Sequence, residues 1–155
     1  MPDEEVFDSP TGWVNQHIHA YAGSDGQEGF YWRGYPTLLL TTRGRKSGKL
    51  RRTALIFGQD GGNYLLVASK GGAPRHPQWY LNLSANPRVT LQVRAQKIAG
   101  RARTASADER PRLWKLMAQI YPPYDEYQAR AGREIPVVIV EPVEQAGARP
   151  NSRRG

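Results

Sequence analysis

The sequence has no cysteine among its 155 residues. That excludes disulfide frameworks, cysteine-based zinc sites, iron–sulfur clusters and thiol nucleophiles. Long hydrophobic runs are also missing. The longest, such as Tyr64–Ala68, are about five residues, far short of the ~20 that a membrane-spanning helix needs. The opening Met1-Pro2-Asp3-Glu4-Glu5 is acidic with no apolar stretch behind it, so no secretory signal is expected. The cytosol is the default location, with attachment to a membrane surface left open. Histidine is scarce. His17 and His19 stand two apart on an expected helix and face different ways, a poor metal pair, and no metal site is expected. Acids are nearly absent from the middle of the chain, so no carboxylate pair or Ser-His-Asp set stands out. If the protein is an enzyme, a bound cofactor has to supply the reactivity.

What is present is one domain's worth of chain, 39% hydrophobic and 23% charged, a soluble globular composition. The net charge is +8, unevenly spread. Between Gly29 and Ala107 stand fourteen lysines and arginines against one acid, Asp60, a surplus of thirteen. The rest of the chain carries eight basic and thirteen acidic residues. Six cations fall in the ten positions from Arg43 to Arg52. Such a centre predicts an anionic partner: nucleic acid, an anionic lipid surface, or a small molecule bearing phosphate or carboxylates. A solvated basic face is the plain alternative. A basic nucleic-acid-binding module would interleave aromatics with the cations. Arg43 to Arg52 contains none, so no nucleic-acid partner is expected.

The element pattern predicts a mixed α+β, mainly β fold: a small antiparallel barrel with flanking helices. Ser9-Pro10 reads as a cap and first helical position, with a helix over 10–22 and a polar loop to about Tyr35. Strands are expected at 37–42, 53–57, 64–68, 89–93, 97–103 and 135–140. Asp60-Gly61-Gly62-Asn63 is a tight-turn signal. A short helix is expected over 77–85. Another follows the capping box Ser106-Ala107-Asp108-Glu109 and stops at Pro122-Pro123. Residues 1–35 are read as N-terminal helix and loop, 36–143 as the main domain and 144–155 as a disordered tail.

Four segments could carry chemistry. Gly44-Arg45-Lys46-Ser47-Gly48 joins two strands, and its glycines let backbone N–H groups converge on an anion. Arg51 and Arg52 follow on a strand whose alternation sends them to opposite faces, so at most one should share that pocket. Ala68-Ser69-Lys70-Gly71-Gly72-Ala73 is a small-residue loop open to a planar ligand. Trp79 and Tyr80 point different ways on their helix, and Asn82 is placed to pin a backbone or ligand group. Tyr121, Tyr124 and Tyr127 gather either as an aromatic flap over a pocket or as a core edge.

In this order and spacing, these segments resemble the deazaflavin-dependent nitroreductase family, typical of mycobacteria and related actinobacteria. The likeness runs from about residue 36 to 141 and includes Trp79-Tyr80-Leu81-Asn82-Leu83 and Ala85-Asn86-Pro87. The resemblance implies a split β-barrel of the flavin-reductase, FMN-binding type and the deazaflavin coenzyme F420. It also implies hydride transfer to a quinone-like or nitroaromatic acceptor. It assigns Arg45, Lys46, Ser47 and Arg51, with Arg52 beside them, to the cofactor's phosphate and glutamate tail. Thr53, Ala54, Leu55 and Ile56 line the cofactor from one strand, and Val67, Ala68, Ser69 and Lys70 from the next. Gln78, Trp79, Tyr80, Leu81 and Asn82 match its helix. Ser69, Tyr121, Tyr124 and Tyr127 match positions at the reacting substrate. Where the family usually has proline, this chain has Ala54. The alternatives are a non-catalytic protein of the same fold holding deazaflavin or a fatty acyl ligand, and an enzyme using flavin mononucleotide. Homodimer and monomer are both open.

Overall fold

The computed structural model describes residues 5–9 and 12–143. Pro10, read as the first helical position, and the tail 144–155 lie outside them. The fold is mixed α+β, mostly sheet with flanking helices. Its strands are β1 (Val6–Asp8), β2 (Tyr31–Trp32), β3 (Tyr35–Arg43), β4 (Leu50–Ile56), β5 (Gly58–Asp60), β6 (Asn63–Val67), β7 (Arg88–Val93), β8 (Gln96–Thr104) and β9 (Val137–Pro142). The helices are α1 (Gly12–Gly23), α2 (Gln78–Ala85), α3 (Arg110–Ile120) and α4 (Pro123–Ala131), with a 3-10 turn at Lys70–Gly72.

Hydrogen bonding orders the strands β1-β4-β3-β7-β8-β9-β6-β5, with β2 on β3. The path is open rather than a closed barrel. Its two ends are nevertheless drawn together, because β4 runs into β5 through the single residue Phe57. Every pairing is antiparallel except β1 on β4, which places Phe7 beside Arg51 and Asp8 beside Arg52.

The strands form where apolar residues can be buried. Leu38, Leu39 and Leu40 of central β3 are buried on both faces, which is why they read as an unbroken run. β6 and β9 each serve two cores by alternation. Leu66, Val138 and Val140 join Ile18, Tyr21 and Phe30 in one. Leu65, Val67, Val137 and Ile139 join Leu113, Met117 and Tyr124 in the other, under α3 and α4. Tyr21 ties α1 to the sheet: its hydroxyl donates to Thr37 O at 3.0 Å and accepts from the Arg94 N–H at 2.7 Å.

Four elements depart from expectation, β1, β2, β5 and α4. The stretch read as N-terminal helix and loop contributes strands β1 and β2, each too short to show alternation. Pro122-Pro123 ends α3 but also opens α4, since proline's missing N–H costs nothing in a first helical turn. The capping box closes as expected, Ser106 N–H donating to Glu109 Oε1 at 2.9 Å and Glu109 N–H to Ser106 Oγ at 3.3 Å.

Candidate functional site

Two cavities of about 500 and 430 Å³ share Ser9, Thr53, Lys70, Pro77 and Trp79, and so form one cleft with two halves. β4 runs along both. Arg51 and Arg52 line the first half, Ala54, Leu55 and Ile56 the second, and Thr53 stands at the junction.

The first half is basic. The β3–β4 loop brings Arg45, Lys46 and Ser47 to it. Gly44 N–H donates to Lys49 O at 2.8 Å to close this turn, and Gly48 takes the left-handed conformation at φ +73°. Asn82 of α2 is buried and does pin a backbone group. Its Oδ1 accepts from Arg45 N–H at 3.2 Å and from Arg45 Nη1 at 2.9 Å. Arg51 and Arg52 both line this half, contrary to the alternation argument. The cavity spans the β1–β4 pair, and long side chains from either face reach its wall. They are not equivalent. Arg52 makes a two-pronged bond to Asp8, Nε to Oδ1 at 2.6 Å and Nη2 to Oδ2 at 3.0 Å, the strong charge-assisted geometry. Arg51 lies 5.5 Å from the Phe7 ring centroid. With Lys70, five cations face this half against one carboxylate, Asp8.

The second half is aromatic and apolar, walled by Trp32, Trp79, Tyr121, Tyr124 and Tyr127, with Val67 and the β4 residues opposite. The tyrosines pack together at the α3–α4 junction and on α4, the core edge rather than a flap. Tyr121 and Tyr124 are buried and meet edge-to-face at 4.9 Å. The Tyr121 and Tyr127 hydroxyls share a hydrogen bond at 3.1 Å. Burial, and then that bond, pushes the Tyr121 phenol up to about 12. Burial raises Tyr124 well above the ordinary phenol range. Both rings therefore stay protonated and can donate. The Tyr124 and Ser69 hydroxyls have no hydrogen-bond partner among the described residues, and both residues line the cavity.

Ala68, Tyr80 and Leu81 lie outside the cleft. Ala68 is buried behind the loop and its N–H donates to Pro136 O at 3.0 Å. Helical periodicity explains the other two: Gln78, Trp79 and Asn82 turn to the cleft, while Tyr80 turns to Thr104, hydroxyl to hydroxyl at 2.8 Å. Sequence reasoning missed Phe7 and Asp8, which reach the cleft only through the parallel β1 pairing. It also missed Trp32 and His17. His17 Nε2 lies 3.3 Å from Thr37 Oγ1 and His19 Nε2 lies 3.3 Å from Asp8 Oδ2, so the two histidines do face apart.

A family model described as F420H(2)-dependent quinone reductase matches residues 13–142. The chain belongs to that family. It is 37% identical over 141 residues to an F420H(2)-dependent quinone reductase of Mycobacterium tuberculosis, covering 83% of this chain and 95% of the relative. Among solved structures, an F420-H2 dependent reductase (FDR-A) is 48% identical. It superposes with a TM-score of 0.64, covering 68% of this chain and 94% of that one. A second, described as a domain-swapped dimer, is 42% identical with a TM-score of 0.67, covering 86% of this chain and 100% of that one.

Proposed function

We propose that the two-part cleft is where this chain, an F420H2-dependent oxidoreductase of the quinone-reductase family, holds its cofactor and its acceptor. One observation carries the reading: a basic half opens directly into an aromatic half, with Thr53, Lys70 and Trp79 at the seam. The residues fit the group. A phosphodiester with a glutamate tail suits Arg45, Lys46 and Arg51, and a flat ring suits the half between β4 and Trp79. When bound, the reduced deazaflavin supplies a hydride to a quinone. The chain's own part is to grip, orient and exclude water. Ser69 and the tyrosines offer hydrogen-bond donors to an oxygen that gains negative charge. In this reading the open, curled sheet is the split β-barrel of flavin-reductase type. The domain-swapped relative supports a homodimer. Nitroaromatic acceptors would enter the same aromatic half, and peripheral membrane contact would serve lipophilic quinones.

The test is equilibrium binding of oxidised coenzyme F420 against flavin mononucleotide, followed by tryptophan fluorescence, since Trp79 and Trp32 line the cleft. Binding of the deazaflavin alone, with menadione reduction by its reduced form, is expected. Binding of flavin mononucleotide alone would replace the cofactor, and binding of neither would remove the reading.

A further inference from the structure

Arg133 follows the left-handed Gly132 that ends α4. Its half-buried guanidinium reaches across to the loop after β6. Nε donates to Ala73 O at 3.0 Å, and Nη2 donates to Ala68 O at 3.2 Å and to Ser69 O at 3.0 Å. Nη1 lies 3.0 Å from His76 Nδ1. Arg130 adds a bond from Nη2 to Gly71 O at 3.0 Å. Among the described residues no carboxylate pairs with Arg133, and its four hydrogen-bonding contacts all go to one loop.

Trans peptide planes turn this into a statement about the cleft. The carbonyl of one residue and the N–H of the next point opposite ways, and the described chain has no cis bond. Drawing Ala68 O and Ser69 O toward Arg133 therefore turns the N–H groups of Ser69 and Lys70 away from it. Those N–H groups, and that of Gly71, make no hydrogen bond among the described residues, whereas Gly72 and Ala73 N–H close the turn onto Ser69 O and Lys70 O. Ser69 is right-handed at φ −82°, ψ −37°, while Lys70 and Gly71 are left-handed at φ 48° and 64°. Successive N–H groups in that alternation form a concave nest for an anion or electron-rich oxygen. Ser69, Lys70 and Gly71 line the aromatic half of the cleft.

We propose that Arg133 is a positioning residue for the cofactor reaction: by gathering the carbonyls of Ala68, Ser69 and Ala73, it presents the N–H groups of Ser69 and Lys70 to the ligand as a preformed donor row. The occupant is a carbonyl or anionic edge of a flat ring, and this assignment rests on the cleft holding the deazaflavin. Lysine cannot replace arginine fully, because its single ammonium cannot span carbonyls on both sides of the loop. His76 reports the arrangement. Its pKa is lowered by burial and by the Arg133 charge, and its other neighbours are the Tyr80 ring at 4.8 Å and the chain neighbour Arg75.

Wild type, Arg133→Met and Arg133→Lys separate the outcomes. Without cofactor, Arg133→Met is expected to shift the amide resonances of Ser69, Lys70 and Gly71, leave those of β7 in place, and raise the His76 titration midpoint. With cofactor, it is expected to weaken F420 binding and raise its KM by about tenfold, with kcat changed less than about threefold and Arg133→Lys intermediate. Unmoved loop resonances with an unmoved His76 midpoint would overturn the proposal. So would a fall in kcat at unchanged affinity. If Arg133→Met does not fold, Arg133→Lys carries the loop-resonance and affinity readouts, and its His76 midpoint is not used because the charge is kept. If wild type itself fails to bind F420, the cofactor reading fails, and the cofactor-free spectra still decide the role of Arg133.

Discussion

At the scale of single residues, the hydroxyls of the aromatic half differ in what they have left to give. Tyr121 and Tyr127 satisfy one another at 3.1 Å, whereas the Tyr124 and Ser69 hydroxyls have no partner among the described residues. A donor that opens onto a cavity without a protein partner is available to a ligand oxygen. Tyr124→Phe should lower quinone turnover roughly ten- to a hundredfold while leaving the melting temperature almost unchanged. Full activity with menadione would remove Tyr124 as a donor. The arginines divide in the same way. Arg52 is held by Asp8, so Arg51→Ala should cost more F420 affinity than Arg52→Ala. Arg52→Ala should instead lower stability by about 1 kcal/mol, discounted for partial exposure, and titration of both variants checks the order. The paired arginines were legible in the sequence, but the partner of Arg52 was not. Asp8 lies 44 positions away and meets it only through strand pairing.

At the scale of elements, strong periodicity was readable and short or ambiguous pieces were not. β3, β6, β7 and α3 carry clear patterns. β1 has three residues and no periodicity to show. α4 did have signals: proline at its start, Asp125 and Glu126 in its first turn and Gly132 at its end. They were masked by reading Pro122-Pro123 only as a stop. The contact between α4 and the loop after β6 has a tight point. Gly72 sits at φ +83°, and a Cβ there would lie 3.0 Å from Tyr127 Cα and 3.1 Å from Tyr127 O. Neither backbone atom can yield cheaply, so Gly72→Ala should cost about 1–3 kcal/mol and loosen the loop. An unchanged denaturation midpoint would contradict this. The capping box makes a pH prediction. Hydrogen bonds from Arg103 and then Ser106 hold the Glu109 carboxyl at about 2, below its ordinary 4.5. A depressed folded pKa adds stability that is complete above the ordinary value and is lost as pH falls from there toward 2. Thermal unfolding across that window should fall less steeply for Glu109→Gln than for wild type. The effect should be small, because the pair is exposed.

At the scale of the whole molecule, the charge map was the most informative reading of composition. Five of the fourteen cations of the basic centre line one half of one cleft, an arrangement that suits an anionic ligand. The sheet's topology was less accessible, because pairing between distant strands leaves no local trace. β9, at residues 137–142, lies between β8 and β6 in the hydrogen-bonded path. It is the last of the described strands to be synthesised, and β6 has no other partner toward β8. While the ribosome still covers Val137 onward, the two flanks of the sheet lack their common neighbour. The cleft therefore has to assemble after those residues emerge. Nascent chains stalled at that point should be cut readily by protease and gain no protection from F420, whereas released chains should gain it.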